Sequence, residues 1–162
     1  MKLLWAQDCG FCFGVRNAVA IAQKEKGAYT YGHIIHNEHV IESLRKSGVH
    51  AVESIDGLQK GDTLILRSHG APQSVYEQAE AAGLRLIDAT CPFVKKIHKI
   101  VSEMSAKGYY IVIVGKASHP EVIGIQGWCG ESAVIDETTD ISALTVHEKV
   151  CVVAQTTFES EK

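Results

Sequence analysis

One pattern occurs twice in this chain, and it limits the fold more than any other feature. A short apolar run ends in small or polar residues, a cysteine follows, and an amphipathic helix opens directly behind it. In the first instance Leu3 to Ala6 reads as the strand, and Cys12-Phe13-Gly14-Val15 opens a helix with Val15, Ala18, Val19 and Ala22 along one face. In the second, Leu84 to Ile87 reads as the strand and Asp88-Ala89-Thr90-Cys91 as the junction. Pro92 takes the first helical position, where its missing N–H would have had no partner anyway. Val94, Ile97, Val101 and Met104 then share a face until Gly108 stops the helix. Downstream of each cysteine, at a comparable interval, comes a second shared pattern. Gly32-His33-Ile34-Ile35-His36-Asn37-Glu38 parallels Gly115-Lys116-Ala117-Ser118-His119-Pro120-Glu121. A third polar strand end closes each half, Arg67-Ser68-His69-Gly70 and then Ala154-Gln155-Thr156-Thr157. Common order and spacing point to an internal duplication of one α/β unit, each copy offering a cysteine and two polar strand ends. Chance similarity of two short βα patterns is the weaker account.

The apolar periodicities predict strands at 2–6, 28–31, 49–53, 63–67, 84–87, 109–114, 133–136 and 149–153. Helices are predicted at 13–25, 37–46, 72–82, 92–107 and 120–127, with a short helical turn near 139–143. Strands alternating with helices belong to the α/β class, with mainly parallel sheets covered on both faces. Such sheets bind ligands beyond the carboxyl ends of their strands. Cys12, His36, His69, Cys91, His119 and Thr156 all fall there, and that shared address is the strongest functional signal in the pattern.

At 162 residues and 46% hydrophobic, the chain can bury a core as one domain or two small ones. A net charge of −3, with no basic stripe carrying interleaved aromatics, argues against nucleic-acid binding. The amino terminus reads as too short for a signal peptide, and the longest apolar run, Tyr109 to Val114, is far below a membrane span. The expectation is a cytoplasmic chain that does not bind membranes. The odd set Cys9, Cys12, Cys91, Cys129 and Cys151 suggests metal or redox chemistry rather than a disulfide framework.

Each cysteine at a helix start, with Lys95 and Lys96 close to the second, should favour a thiolate, which is a metal ligand or a nucleophile. A buried packing cysteine is the alternative. His36, His69 and His119 stand before helix starts, which favour anions, and imidazoles can add charge-assisted hydrogen bonds; a phosphate or diphosphate is the natural guest. Each could instead merely cap its helix. Glu121 is the one well-placed proton donor, unless it is there only for the helix dipole. Gln155, Thr156 and Thr157 either position a hydroxyl or cap a following helix. Cys9-Gly10-Phe11-Cys12 also fits a thiol–disulfide exchange motif, whereas Cys129 and Cys151 read as packing residues.

The chain resembles the 4-hydroxy-3-methylbut-2-enyl diphosphate reductases, iron–sulfur enzymes of the non-mevalonate isoprenoid pathway. The motifs that carry the resemblance are Gly10-Phe11-Cys12-Phe13-Gly14-Val15, His36-Asn37, Ser68-His69-Gly70, Asp88-Ala89-Thr90-Cys91-Pro92, His119-Pro120-Glu121-Val122 and Gln155-Thr156-Thr157. The resemblance implies three α/β lobes about a pseudo-threefold axis with a 4Fe-4S cluster at the centre. Residues 1–92 would be an amino-terminal segment and first lobe, 93–162 a second lobe cut short, and the third lobe absent. Cys12 and Cys91 match two of the family's three cluster ligands. His36, His69 and His119 match substrate-pocket histidines, Glu121 the acid that delivers protons, and Thr156 a hydroxyl near the substrate's hydroxymethyl end. The implied reaction is reductive dehydroxylation to isopentenyl and dimethylallyl diphosphate, with electrons from a donor such as ferredoxin or flavodoxin.

Family members run to nearly twice this length, and their third lobe supplies the third cysteine and the Ser and Asn residues that complete the diphosphate pocket. The expectation is therefore a fragment that is inactive alone. Two other readings stay open. A thiol-redox protein using Cys9 and Cys12 would form a reversible disulfide and need none of the histidines. A non-catalytic diphosphate-binding domain would keep its affinity after serine replaces Cys12 and Cys91.

Overall fold

The computed structural model describes residues 3–4, 10–143, 145 and 147–158. It opens with helix α1 (Phe13–Lys24), strand β1 (Tyr29–Tyr31), helix α2 (Glu38–Lys46), strand β2 (His50–Val52) and strand β3 (Thr63–Leu66). Helix α3 (Gln73–Ala81) and strand β4 (Arg85–Asp88) follow, then helix α4 (Pro92–Ala106) and strand β5 (Tyr110–Val114). The chain continues through helix α5 (Pro120–Gln126), strand β6 (Ser132–Ile135), a 3-10 turn at Ile141–Ala143 and strand β7 (Val150–Ala154). Every one of these elements lies where the periodicities predict it. The remaining expected strand, at 2–6, lies mostly outside the described residues; Leu3 and Leu4, the two described, are exposed and not in a strand.

Among the described residues two sheets form, and all their pairings are parallel. The first runs β2-β1-β3-β4 and the second β6-β5-β7. The order β2-β1-β3 in one is the order β6-β5-β7 in the other, each preceded by the helix behind a cysteine. The sequence repeat is therefore also a repeat of topology.

Parallel strands are buried on both faces, which is why they read as continuous apolar runs. In β3, Leu64, Ile65 and Leu66 are all fully buried, yet they point alternately. Ile65 packs with Ala18 and Ala22 of α1 and Leu44 of α2. Leu64 and Leu66 pack with Val75 and Ala79 of α3 and with Ile55 and Leu58 of the crossover loop. In the second sheet Ile111 and Ile113 lie under Val101 of α4 and Val122 and Ile125 of α5. On the opposite face, Val150 and Val152 are 44% and 62% exposed.

The two units meet behind the strand ends. Trp128 Nε1 donates to Ala71 O at 2.9 Å, and Gln73 N donates to Gly127 O at 3.3 Å. A side chain at Gly127 would run into Pro72, so this approach of the two backbones requires glycine.

Candidate functional site

The residues singled out by sequence gather at the carboxyl ends of the strands, where α/β sheets bind their ligands. His36 follows β1, Arg67 to His69 follow β3, Cys91 follows β4, His119 follows β5, and Gln155 to Thr157 follow β7.

Cys12 and Cys91 are the N-cap residues of α1 and α4, and neither thiol caps its helix by a hydrogen bond. Cys12 is exposed and Cys91 half-buried. A Cβ built at Gly14 would lie 2.8 Å from Cys91 Sγ, so the helical turn that carries Cys12 packs directly on the second thiol. Cys91 N donates to Ser68 O at 2.9 Å, which ties the cysteine to the histidine-bearing loop. Lys95, expected to attend Cys91, instead pairs with Asp88 at 2.7 Å. Burial would raise the Asp88 carboxyl, but hydrogen bonds from Lys95 and Thr90 outweigh it and hold it below the ordinary carboxylate value. Cys9 lies outside the described residues. Cys129 and Cys151 pack against the second core, and burial pushes the Cys129 thiol up.

Among the described residues, no three His, Cys, Asp or Glu side chains converge in a metal-binding arrangement. Cys12 and Cys91 are free thiols at two helix starts, a soft-donor pair of the kind that could contribute to, but not by itself complete, a cysteine-ligated metal site.

The three histidines come together around His69. Its ring centroid is 5.9 Å from that of His36 and 5.3 Å from that of His119, which meets it edge-on. His119 does cap its helix, because its Nδ1 accepts from Glu121 N at 3.1 Å. In the neutral ring this leaves the proton on Nε2, available as a donor. Ser118 and Pro120 flank that cap, while Asn37 Oδ1 caps α2 by accepting from Val40 N.

Two of the three imidazoles are biased toward the neutral ring, whose N–H can still make a charge-assisted bond to an anionic guest. Burial, with help from His119, Arg67 and His36, pushes His69 down to about 4. Burial also lowers His119, against the pull of Glu121. A fixed positive charge beside these rings is Arg67, which sequence reading quoted in a motif without giving it a role. Its guanidinium lies across the bare backbone of Gly32. Burial pulls the Arg67 pKa below the ordinary arginine value, and the Glu53 charge opposes that. The signal that could have found it is a charged residue directly continuing the buried run Thr63-Leu64-Ile65-Leu66. Arg67 Nε, Ser68 Oγ and His69 Nδ1 are buried with no hydrogen-bond partner among the described residues. Buried polar groups are nearly always paired, so three orphans in consecutive residues mark a surface set for a polar ligand.

Glu121 is 1% exposed. Its carboxylate accepts from Thr156 N at 2.6 Å and from Thr156 Oγ1 at 2.8 Å, joining the ends of β5 and β7. Gln155 strengthens that junction, accepting from Lys116 N at 3.2 Å and donating to Thr157 Oγ1 at 2.8 Å. A cavity of about 380 Å³ opens beside it, lined by Lys116, His119, Gln155 and Thr157 together with residues that follow β6.

Comparison with known proteins gives these residues a context. A family model described as LytB protein matches residues 3–162. A 4-hydroxy-3-methylbut-2-enyl diphosphate reductase of Caldanaerobacter subterraneus is 47% identical over 98% of this chain and 58% of its own length. One of Aquifex aeolicus is 40% identical over 99% of this chain and 58% of its own. The chain thus spans a little over half the length of these curated relatives. Among solved structures, one titled as (E)-4-hydroxy-3-methyl-but-2-enyl diphosphate reductase, the terminal enzyme of the non-mevalonate pathway, superposes with a TM-score of 0.82. It is 41% identical and covers 94% of this chain and 57% of its own. A Plasmodium falciparum E-1-hydroxy-2-methyl-but-2-enyl-4-diphosphate reductase superposes with a TM-score of 0.86 at 31% identity, covering 92% of this chain and 49% of its own.

Proposed function

This chain belongs to the LytB protein family, and from that premise we propose that it is the diphosphate-gripping, proton-delivering part of a 4-hydroxy-3-methylbut-2-enyl diphosphate reductase. The observation that carries the reading is the row of partnerless buried polar atoms on Arg67, Ser68 and His69 beside two further histidines. The complete protein would remove the substrate hydroxyl as water with two electrons and two protons, giving isopentenyl and dimethylallyl diphosphate. Cys12 and Cys91 would hold two corners of a 4Fe-4S cluster, with a third cysteine from outside these residues. When bound, the cluster supplies the electrons and a Lewis-acidic iron for the hydroxyl. A cytoplasmic carrier such as ferredoxin or flavodoxin would feed it.

The chain's own residues do the rest. His119 Nε2–H and the guanidinium of Arg67 donate to the diphosphate, and His36 and His69 complete the grip. Holding the charged end fixes where the hydroxymethyl end can reach, so binding energy becomes orientation. Thr156 donates its only hydroxyl proton to Glu121 Oε2, which leaves its oxygen lone pairs facing outward as acceptors for a substrate hydroxyl. When Glu121 is protonated its O–H donates to Thr156 Oγ1, the Thr156 hydroxyl turns to donate to the departing oxygen, and one proton passes along that chain to leave with the oxygen as water.

The anion grip is testable in this chain with inorganic diphosphate and isothermal titration calorimetry. Arg67→Met keeps the aliphatic stem and removes the charge. It is expected to weaken binding about tenfold, as the loss of one charge-assisted hydrogen bond does. Unchanged affinity in Arg67→Met, or no binding by the wild type, would overturn the reading.

A further inference from the structure

Behind the histidine-bearing loop lies a second histidine site that neither the reaction nor the sequence pattern uses. His98 stands on the inner face of α4 and is 3% exposed. Its ring stacks on the indole of Trp128, with centroids 5.2 Å apart and planes 20° from parallel. The same indole donates Nε1–H to Ala71 O at 2.9 Å, and Tyr76 packs against it edge-on at 5.3 Å. Tyr76 OH in turn lies 3.4 Å from Thr90 Oγ1, one residue before Cys91.

The imidazole presses on the loop from below. Gly70, with φ at +76°, turns its bare Cα toward the ring, and a Cβ there would lie 2.5 Å from His98 Cε1 and 3.2 Å from Thr90 Cγ2. A Cβ at Gly124 would lie 3.5 Å from both His98 Nε2 and His69 O. The loop's height is therefore set by a flat ring clamped between an indole and two glycines. His98 Nε2, the ring nitrogen facing Gly124, has no hydrogen-bond partner among the described residues, so ring shape and stacking define the contact on that side.

We propose that His98, stacked on Trp128, is a positioning residue that sets where the imidazole of His69 stands relative to His119 and Cys91. The inference rests on the diphosphate-site reading only for its consequence in binding; the positioning itself concerns this chain alone. Removing the ring would let Gly70 sink, and His69 would leave the geometry in which it meets His119 edge-on. Site geometry held by packing from behind is how a binding group keeps the sub-ångström placement its task needs.

The test uses the 162-residue chain labelled with ¹⁵N-histidine, comparing wild type, His98→Ala, His69→Ala and the double variant. Long-range ¹H–¹⁵N spectra report the His69 ring, and titration with inorganic diphosphate reports binding. His98→Ala is expected to shift the His69 ring resonances and to weaken diphosphate binding about tenfold. In the His69→Ala background it should weaken binding no further, while lowering the melting temperature as much as in the wild type. Added imidazole, which matches the cavity left by the deletion, should restore both the His69 spectrum and the affinity. A merely structural His98 would lower stability without moving the His69 ring, or would weaken binding equally with and without His69; either result overturns the proposal. If the ring signals move and imidazole restores them but neither protein binds diphosphate, the positioning stands and the diphosphate reading falls. Should His98→Ala fail to fold, His98→Asn, which keeps polarity and part of the volume but no ring, is expected to give the same shift; an unmoved His69 spectrum there overturns the proposal.

Discussion

Glu121→Gln is expected to cut turnover by about a hundredfold or more, the usual scale for losing a positioned general acid. The assay uses this chain joined to the carboxyl-terminal remainder of the Caldanaerobacter relative, with the hydroxymethylbutenyl diphosphate as substrate. The substitution isolates proton delivery because it spares the architecture. Glu121 is nearly fully buried, and its partners are Thr156 N and Thr156 Oγ1. A glutamine carbonyl can still accept from Thr156 N, and its amide can donate to Thr156 Oγ1, so the junction between the ends of β5 and β7 survives. What is lost is the ionisable proton: a glutamine amide cannot resupply the Thr156 hydroxyl once that hydroxyl has given its proton to the substrate. The expected signature is a large fall in kcat with KM changed far less, and no restoration at low pH. A variant that keeps wild-type kcat would remove Glu121 from the proton path.

Acid should unfold this chain earlier than its composition suggests, and the cause is two imidazoles. Burial pushes both His69 and His98 down to about 4, from an unfolded value near 6.5. A depressed histidine pKa means that the unfolded chain binds more protons below pH 6.5. The stabilisation is therefore complete above about pH 6.5 and is lost as pH falls from there toward 4. For the buried His98 the full effect amounts to about 3 kcal/mol. His69, only half-buried, adds less. Urea unfolding followed by circular dichroism between pH 7.5 and 4.5 is expected to show the midpoint falling steadily below pH 6.5. In His98→Phe, which keeps a ring and cannot charge, the slope should be clearly shallower. A midpoint flat across that window would contradict the burial of both rings.

The repeat was legible because it is written in adjacent residues. An apolar run, a cysteine and an amphipathic helix make a local signal, and parallel strands buried on both faces give uninterrupted runs such as Tyr110 to Val114. Strand ends are local too, so the addresses of His36, His69, Cys91, His119 and Thr156 could be read before any packing was known. What escaped depends on which loops face one another. Glu121 and Thr156 were both singled out, but their hydrogen bond spans 35 residues and needs β5 beside β7. Lys95 looked like company for Cys91, yet it reaches back to Asp88 on the preceding strand. Arg67 shows its charge only over Gly32, at the end of a strand that pairs sideways with its own. The same pairing of distant loops sets the electrostatics of the histidines. Burial where these strand ends converge lowers the pKa of His69 and His119, a shift no local pattern carries.

The most direct test of the account is anaerobic reconstitution with iron and sulfide, reading bound iron and visible absorbance. It compares the 162-residue chain, its fusion to the remainder of the Caldanaerobacter relative, and the Cys12→Ser and Cys91→Ser forms of that fusion. The account predicts a full cluster in the fusion, none of comparable stability in the 162 residues alone, and loss of iron in either serine variant. A fusion that holds its iron equally well without Cys12 or without Cys91 would contradict the assignment of these two cysteines at helix starts as cluster ligands.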